Sequence, residues 1–247
     1  MNNDYLVVIP ARLESTRLPR KLLMKINGKT VIFRTYQKAL EALNDPNKII
    51  IATDSKEIKE HCESFGAQTI LTSKNCLTGT DRVAEISKKI IKSQYINLQG
   101  DEPIFPPDQL IKFIKNANKD TSKVHTAITK IKNEKEFNNI SIPKMVFSES
   151  KRLLYSSRAG IPSNKLKGFK IGYKHVCVYA FNKTHLEIFK KNKGKTFFEK
   201  EEDLEINRFL ELDINVNCIE LEKCGKSLDT KDDLEYLTNH INSLETR

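Results

Sequence analysis

The sequence predicts an α/β fold, a mostly parallel open sheet with flanking helices. Three observations carry this. Short apolar, β-branched runs recur at 5–9, 48–54 and 95–98. Amphipathic stretches lie between them, so strand and helix alternate four times in about a hundred residues, a rhythm that calls for parallel strands joined by crossovers. The loops after these runs collect charged and small residues, as the ligand-binding edge of such a sheet does.

At 247 residues, with 38% hydrophobic and 30% charged content, the chain suits one large domain, read here over 1–247, with a first half at 1–120 and an elaborated second half at 121–247. No run approaches about 18 uninterrupted apolar residues, and Met1-Asn2-Asn3-Asp4 lacks a basic-then-apolar leader. A cytoplasmic protein without a membrane partner is expected. Five scattered cysteines show no C-x-x-C spacing, so reduced thiols are expected rather than disulfides or zinc. The net charge of +10 comes from dispersed lysines, not a block or an aromatic-interleaved stripe. It reads mainly as composition, with a share serving anionic substrates; nucleic-acid binding is the alternative of another class.

The first run, 5–9, stops at Pro10. Thr30 then caps a helix to about Leu43, with Val31, Ile32, Tyr36, Ala39, Leu40 and Leu43 on its apolar face. A second strand at 48–54, a short helix at 56–65 and a weak strand at 68–71 follow. Thr78-Gly79-Thr80-Asp81-Arg82 opens a helix with Thr80 or Asp81 as cap and Val83, Ile86 and Ile90 inward. The strand at 95–98 runs into Gln99-Gly100-Asp101-Glu102-Pro103, after which no element is assigned until 124. Strand-like pieces at 124–131, 144–148 and 153–155 precede a strong strand within 170–181. Helices near 184–191 and 201–212, a strand at 216–221 and a helix at 229–244 complete the chain.

Three junctions, 10–21, 78–82 and 99–103, point at one sheet edge. Arg12, Arg17, Arg20 and Lys21 in the first suit a polyphosphate, where four cations alone would read as a solvated loop. Ala11 and Gly79 allow close backbone approach to a base or phosphate. Asp101, after a buried strand and Gly100, suits a hard cation; Mg²⁺ takes one or two carboxylates and keeps water and phosphate oxygens, so one Asp is an incomplete site. Asp229 reads from spacing as a helix cap, and Glu102 as a solvated neighbour. His175 and Tyr179, four residues apart on a strand, share a face, where a lone His is ordinarily a core residue. Arg158 reads either as a carboxylate partner or as a loop brace.

Taken together, Ile9-Pro10-Ala11-Arg12, Ser15-Thr16-Arg17-Leu18-Pro19 with Lys21, Ala52-Thr53-Asp54, Thr78 to Arg82 and Leu98 to Pro103 resemble the 3-deoxy-manno-octulosonate cytidylyltransferase family. The resemblance continues through Tyr155-Ser156-Ser157-Arg158-Ala159-Gly160-Ile161-Pro162, His175 with Tyr179, Leu204-Glu205 with Arg208, and Leu228-Asp229-Thr230 with Asp233-Leu234. It covers nearly the whole chain.

The resemblance implies a homodimeric nucleotidyltransferase of the nucleotide-diphospho-sugar transferase type, whose second half supplies sugar contacts and much of the dimer interface. It implies transfer of CMP from CTP to an acid sugar (Kdo), with Mg²⁺, for lipopolysaccharide or another surface glycan. Arg12, Arg17 and Lys21 then hold the phosphates, and Pro10, Ala11, Thr78, Gly79, Thr80, Arg82 and Gln99 surround the cytidine. Asp101 and Asp229 are carried over as the Mg²⁺ carboxylates, and Arg158, His175, Tyr179 and Glu205 as sugar contacts. Arg20 stands where the family has Gly, adding a cation beside the phosphates; Ser163-Asn164 stands where Trp-Asp is frequent. Cys177 replaces a Gly and Ile206 a Gln. A lost amide beside a polyol keeps open an alternative substrate such as the 8-amino-3,8-dideoxy analogue of Kdo.

Overall fold

The computed structural model describes residues 4–15, 17–165 and 168–245; Thr16 of the basic loop and the N-terminal residues 1–3 lie outside the described residues. The chain opens with β1 (Tyr5–Ala11), which runs through Pro10 rather than stopping before it. Pairing with the strand at 94–98 ends at Val8, and the Pro10 carbonyl faces Gly100 beyond it, so the missing N–H costs no ladder bond. A small hairpin, β2 (Lys25–Ile26) and β3 (Lys29–Thr30), leads into α1 (Val31–Leu43). As expected, the Thr30 side chain caps α1 by accepting from Phe33 N.

Next come β4 (Ile49–Thr53), α2 (Lys56–Glu63), β5 (Thr69–Leu71), α3 (Gly79–Lys89) and β6 (Gln94–Leu98). The α3 cap is Thr78, not Thr80 or Asp81; Asp81 is the reciprocal partner in a capping box. An unforeseen helix, α4 (Pro107–Ala117), follows. Its signal is present in the sequence: Pro at the first helical position, then Leu110, Phe113, Ile114 and Ala117 on one face.

The second half adds β7 (Val124–Lys130), α5 (Glu134–Asn138), β8 (Lys144–Phe147), β9 (Leu153–Ser157), β10 (Tyr173–Phe181) and α6 (Lys183–Lys191). The helix expected at 201–212 is two, α7 (Phe197–Glu202) and α8 (Ile206–Glu211), broken where Asp203 takes a left-handed φ of 50°. Then β11 (Val216–Glu220) and α9 (Lys231–Glu245) close the chain.

Strands of both halves join one sheet of order β11-β7-β10-β6-β1-β4-β5, with the β8–β9 hairpin attached to β10. β5, β4, β1 and β6 are parallel, as are β7 and β11; β10 runs antiparallel between β6 and β7. Period-two alternation splits β1 between two cores: Val7, Ile9 and Ala11 face α1, α4 and α9, while Leu6 and Val8 face α3, α6 and α8. Each fully buried aliphatic side chain contributes about 1.5–3 kcal/mol relative to exposure. That two-sided burial fixes where the parallel strands end, and so where their loops meet.

Candidate functional site

The carboxyl ends of β1, β4 and β6 lie on one edge, set by the registers Pro10↔Ala52 and Val8↔Asn97. The loops beyond them close on one another. A Cβ at Gly79 would stand 3.0 Å from the Gln99 amide nitrogen and 3.1 Å from Pro10 Cγ; one at Gly100 would meet the Pro10 carbonyl oxygen at 2.7 Å. Gly100 therefore needs glycine, and at Gly79 any side chain would have to displace Gln99 by a few tenths of an ångström. Pro10, Gly79 and Gln99 thus come together at the N-terminus of α3, and Ala11 ends β1 beside them, fully buried. Arg12, just past Ala11, is exposed and has no partner among the described residues.

Across this edge the charges pair. Lys21 Nζ donates to an Asp101 carboxylate oxygen and, at 3.0 Å, to Asp229 Oδ1. Arg17 donates to the same Asp229 oxygen at 3.0 Å. The Lys21 side chain is only 11% exposed. Burial pulls its ammonium pKa down, but Asp101 and Asp229 outweigh burial and hold it above its ordinary range. Asp229 is not the helix cap that its spacing suggests. Thr230 caps α9, accepting from Asp233 N at 3.2 Å while Asp233 accepts from Thr230 N, and this frees the Asp229 carboxylate for Lys21. Two converging carboxylates are the hard oxygen donors that Mg²⁺ takes, leaving positions for water and phosphate. Among the described residues no group of three or more His, Cys, Asp or Glu is arranged to hold a metal.

Glu102 is not solvated: it is 6% exposed, and burial, then Asp101 and Asp229, raise its pKa well above the usual carboxyl value. Arg20 adds no cation to this group, since its guanidinium pairs with Glu57 on α2. Its backbone φ of 56° explains why glycine suits the position. Arg82 is 3% exposed and ties α3 to the ends of β4 and β5: it bonds Asp54 Oδ2 at 2.5 Å, Thr72 Oγ1 at 2.8 Å and the Ser73 carbonyl at 3.1 Å. Asp54 also accepts from Leu13 N at 3.3 Å, so the Thr53-Asp54 pair ties the basic loop to α3.

On the far side, Glu205 accepts from Thr80 N at 3.1 Å and from the Gln99 amide at 3.0 Å, joining α8 to the loop over β6. Burial raises its carboxyl pKa against the bonds that oppose the rise. His175 and Tyr179 share a face as expected, ring centroids 5.4 Å apart, although a β-bulge interrupts β10 between Val176 and Tyr179. The bulge contains Cys177, whose thiol pKa is raised by burial and then by the charges of Glu102, Asp101 and Glu205. His175 bonds Thr126 Oγ1 at 3.0 Å through Nε2, and burial pushes its pKa down to about 3. Of the two readings of Arg158, the geometry matches the brace: its guanidinium donates to the carbonyls of Glu202, Ile140 and Asp203. Lys144, unforeseen and fully buried, secures the same loop by donating to the carbonyls of Asn139, Ile142 and Arg158. Ile206 is wholly buried in the apolar cluster that contains Tyr179 and Phe209.

Comparison with known proteins adds four findings. A family model described as cytidylyltransferase matches residues 6–216. A 3-deoxy-manno-octulosonate cytidylyltransferase from Elusimicrobium minutum is 37% identical over 243 residues, covering 96% of this chain and 98% of that protein. Among solved structures, a CMP:2-keto-3-deoxy-manno-octonic acid synthetase complexed with CTP superposes with a TM-score of 0.89 at 30% identity, covering 98% and 99% of the two chains. The inositol-1-phosphate CTP transferase from T. maritima, 12% identical with a TM-score of 0.67 over 98% of each chain, shares the fold.

Proposed function

The chain belongs to the 3-deoxy-manno-octulosonate cytidylyltransferase family, and from that premise we propose that it joins CTP to 3-deoxy-D-manno-octulosonate (Kdo), giving CMP-Kdo and pyrophosphate. The observation that carries this reading is the meeting of Asp101 and Asp229 on Lys21, beside the cleft made by Pro10, Gly79 and Gln99.

In this reaction the anomeric hydroxyl oxygen of the sugar attacks the α-phosphorus in line. An O–P bond forms, the bond from the α-phosphorus to the bridging oxygen breaks with its electron pair, and the hydroxyl proton leaves to solvent. The chain's task is positioning and charge neutralisation. Arg12, Arg17 and Lys21 take the phosphates and the departing pyrophosphate. Pro10, Ala11, the 78–82 loop and Gln99 enclose the cytidine, and Gln99 offers both a donor and an acceptor to the cytosine edge. Asp101 and Asp229 would hold Mg²⁺, which when bound would supply charge neutralisation and a lower pKa for the attacking hydroxyl. Glu205, Tyr179 and His175 face the acid sugar, and Arg158 with Lys144 holds the wall beside it.

The first half thus serves the nucleotide and the second the sugar and a second copy of the chain. Phe197 (69% exposed), Phe198 (46%) and Leu154 (49%) support a homodimer through the second half. Sedimentation should find a dimer that Phe197→Asp shifts towards monomer. We assign the enzyme to the cytoplasm, where CTP is available, and its product to lipopolysaccharide or a similar surface glycan. Among the described residues no helix is long and apolar enough to cross a membrane.

The modified-sugar alternative rests on Ile206 and Cys177, and burial of Ile206 in an apolar cluster takes away the support of that residue. Pyrophosphate release from CTP and Mg²⁺, with Kdo and its 8-amino analogue side by side, tests the reading. Faster turnover of Kdo is expected; no turnover of Kdo overturns it.

A further inference from the structure

Lys21 is a phosphate ligand in the reading above, and in the structure its ammonium is engaged by both of the carboxylates assigned to the metal. Its ammonium touches Asp101 and sits 3.0 Å from Asp229, which also carries Arg17 at 3.0 Å. Two carboxylates facing one ammonium and one guanidinium leave the group already neutral. A divalent cation arriving alone meets occupied lone pairs and a like charge in contact with both ligands.

We propose that Lys21 is a placeholder cation, which keeps the Asp101–Asp229 pair assembled but closed to a free divalent cation until the polyphosphate of the nucleotide draws the ammonium away. The backbone around Lys21 favours a swing of the side chain rather than movement of the loop. Leu22, next to it, is 4% exposed and anchored in the core, and residues 21–23 form a short 3-10 helix. With 11% of its side chain exposed, the ammonium has little water to retreat to, so it moves when a second anion is offered. Arg17, half-exposed, follows to the same anion. Metal and nucleotide are then coupled through this chain's own residue, and the coupling is reciprocal.

This inference rests on the proposed metal site, and its test separates the two. Because a triphosphate chelates metal by itself, the measurement is made on the full chain without nucleotide: Mn²⁺ binding followed by electron paramagnetic resonance and by calorimetry. Lys21→Met, close in shape, should bind Mn²⁺ at least about tenfold more tightly than the native protein, a difference of about 1.4 kcal/mol. Lys21→Arg, which keeps a cation there, should stay near the native value, and Lys21→Gln should follow Met. Circular dichroism verifies that each variant is folded, and a folded Met or Gln variant is enough to decide the question. Unchanged or weaker Mn²⁺ binding in Met or Gln, or tighter binding in Arg, overturns the placeholder. Such a result beside normal turnover of CTP and Kdo by the native protein leaves the proposed function standing; absent turnover beside tighter Mn²⁺ binding in Lys21→Met overturns the function alone.

Discussion

Gln99 donates to Glu205 at 3.0 Å although they lie 106 positions apart, and this one bond ties the loop after β6 to the start of α8. Glu205 also accepts from Thr80 N at the start of α3. The loop after β6 and the starts of α3 and α8 therefore share one carboxylate.

Glu205→Gln puts an amide where two donors already converge, so one of them loses its acceptor. Losing a hydrogen bond to a charged group costs about 1.5–3 kcal/mol. Steady-state kinetics should show KM rising for CTP and for the acid sugar together, about tenfold or more. A rise confined to one substrate would mean that the two sides are independent.

Asp229 and Thr230 are adjacent and separable. Asp229→Asn should lower kcat by about 10²- to 10³-fold with little change in melting temperature, because the carboxylate neutralises charge and does not cap α9. Thr230→Ala should do the reverse, costing about 1 kcal/mol and about 2–4 °C in Tm while turnover persists. Calorimetry and pyrophosphate release on the same samples decide it.

Arg208 and Glu199 are both fully buried, and the guanidinium holds the carboxylate through two bonds of 2.6 Å while lying 3.8 Å over the Phe189 ring. Arg208→Met strands Glu199 and should destabilise the protein by about 3–5 kcal/mol in urea unfolding. The double replacement Glu199→Gln with Arg208→Met should recover part of that loss, since the charge on Glu199 is removed with its partner; Asp81, 3.7 Å from Arg208, keeps Lys190 at 4.0 Å.

His175 titrates near 3 in the folded protein and near 6.5 when unfolded. The native state binds fewer protons, so this contribution to stability is complete above pH about 6.5 and erodes as pH falls towards 3. The loss is at most about 1.4 kcal/mol per pH unit. His175→Phe keeps the ring beside Tyr179, and Thr126 retains its bond to the Val178 carbonyl at 3.3 Å. Unfolding free energies at pH 7 and pH 5 should differ less in this variant than in the native protein; an equal difference would mean that His175 is not the responsible group.

Local pattern makes much of the molecule legible. The β1, β4 and β6 runs, the Thr30 cap and the basic loop all declare themselves within a few residues, because a strand buried on both faces and a capped amphipathic helix are each encoded by near neighbours. The helix α4 carries the same kind of local signal, although the sequence reading assigns no element there. The break between α7 and α8 has none, for Asp203 at a left-handed φ interrupts an otherwise helical composition.

The roles of the charged residues were decided only by the tertiary structure. Nothing near Asp229 in the chain distinguishes a cap from a partner of Lys21; the distinction is made by Thr230 taking the cap and by a residue 208 positions away. Glu102 reads as solvated until burial beside Asp101 and Asp229 is known, and the choice between carboxylate partner and loop brace for Arg158 stays open until its donors are found on backbone carbonyls. The sequence by itself determined the alternation of elements, the family and the edge at which the loops gather, since these follow from periodicity and order along the chain. Which cation meets which carboxylate was left to the fold, since an ion pair depends on distance and burial, and both are properties of the assembled sheet and not of neighbours in sequence.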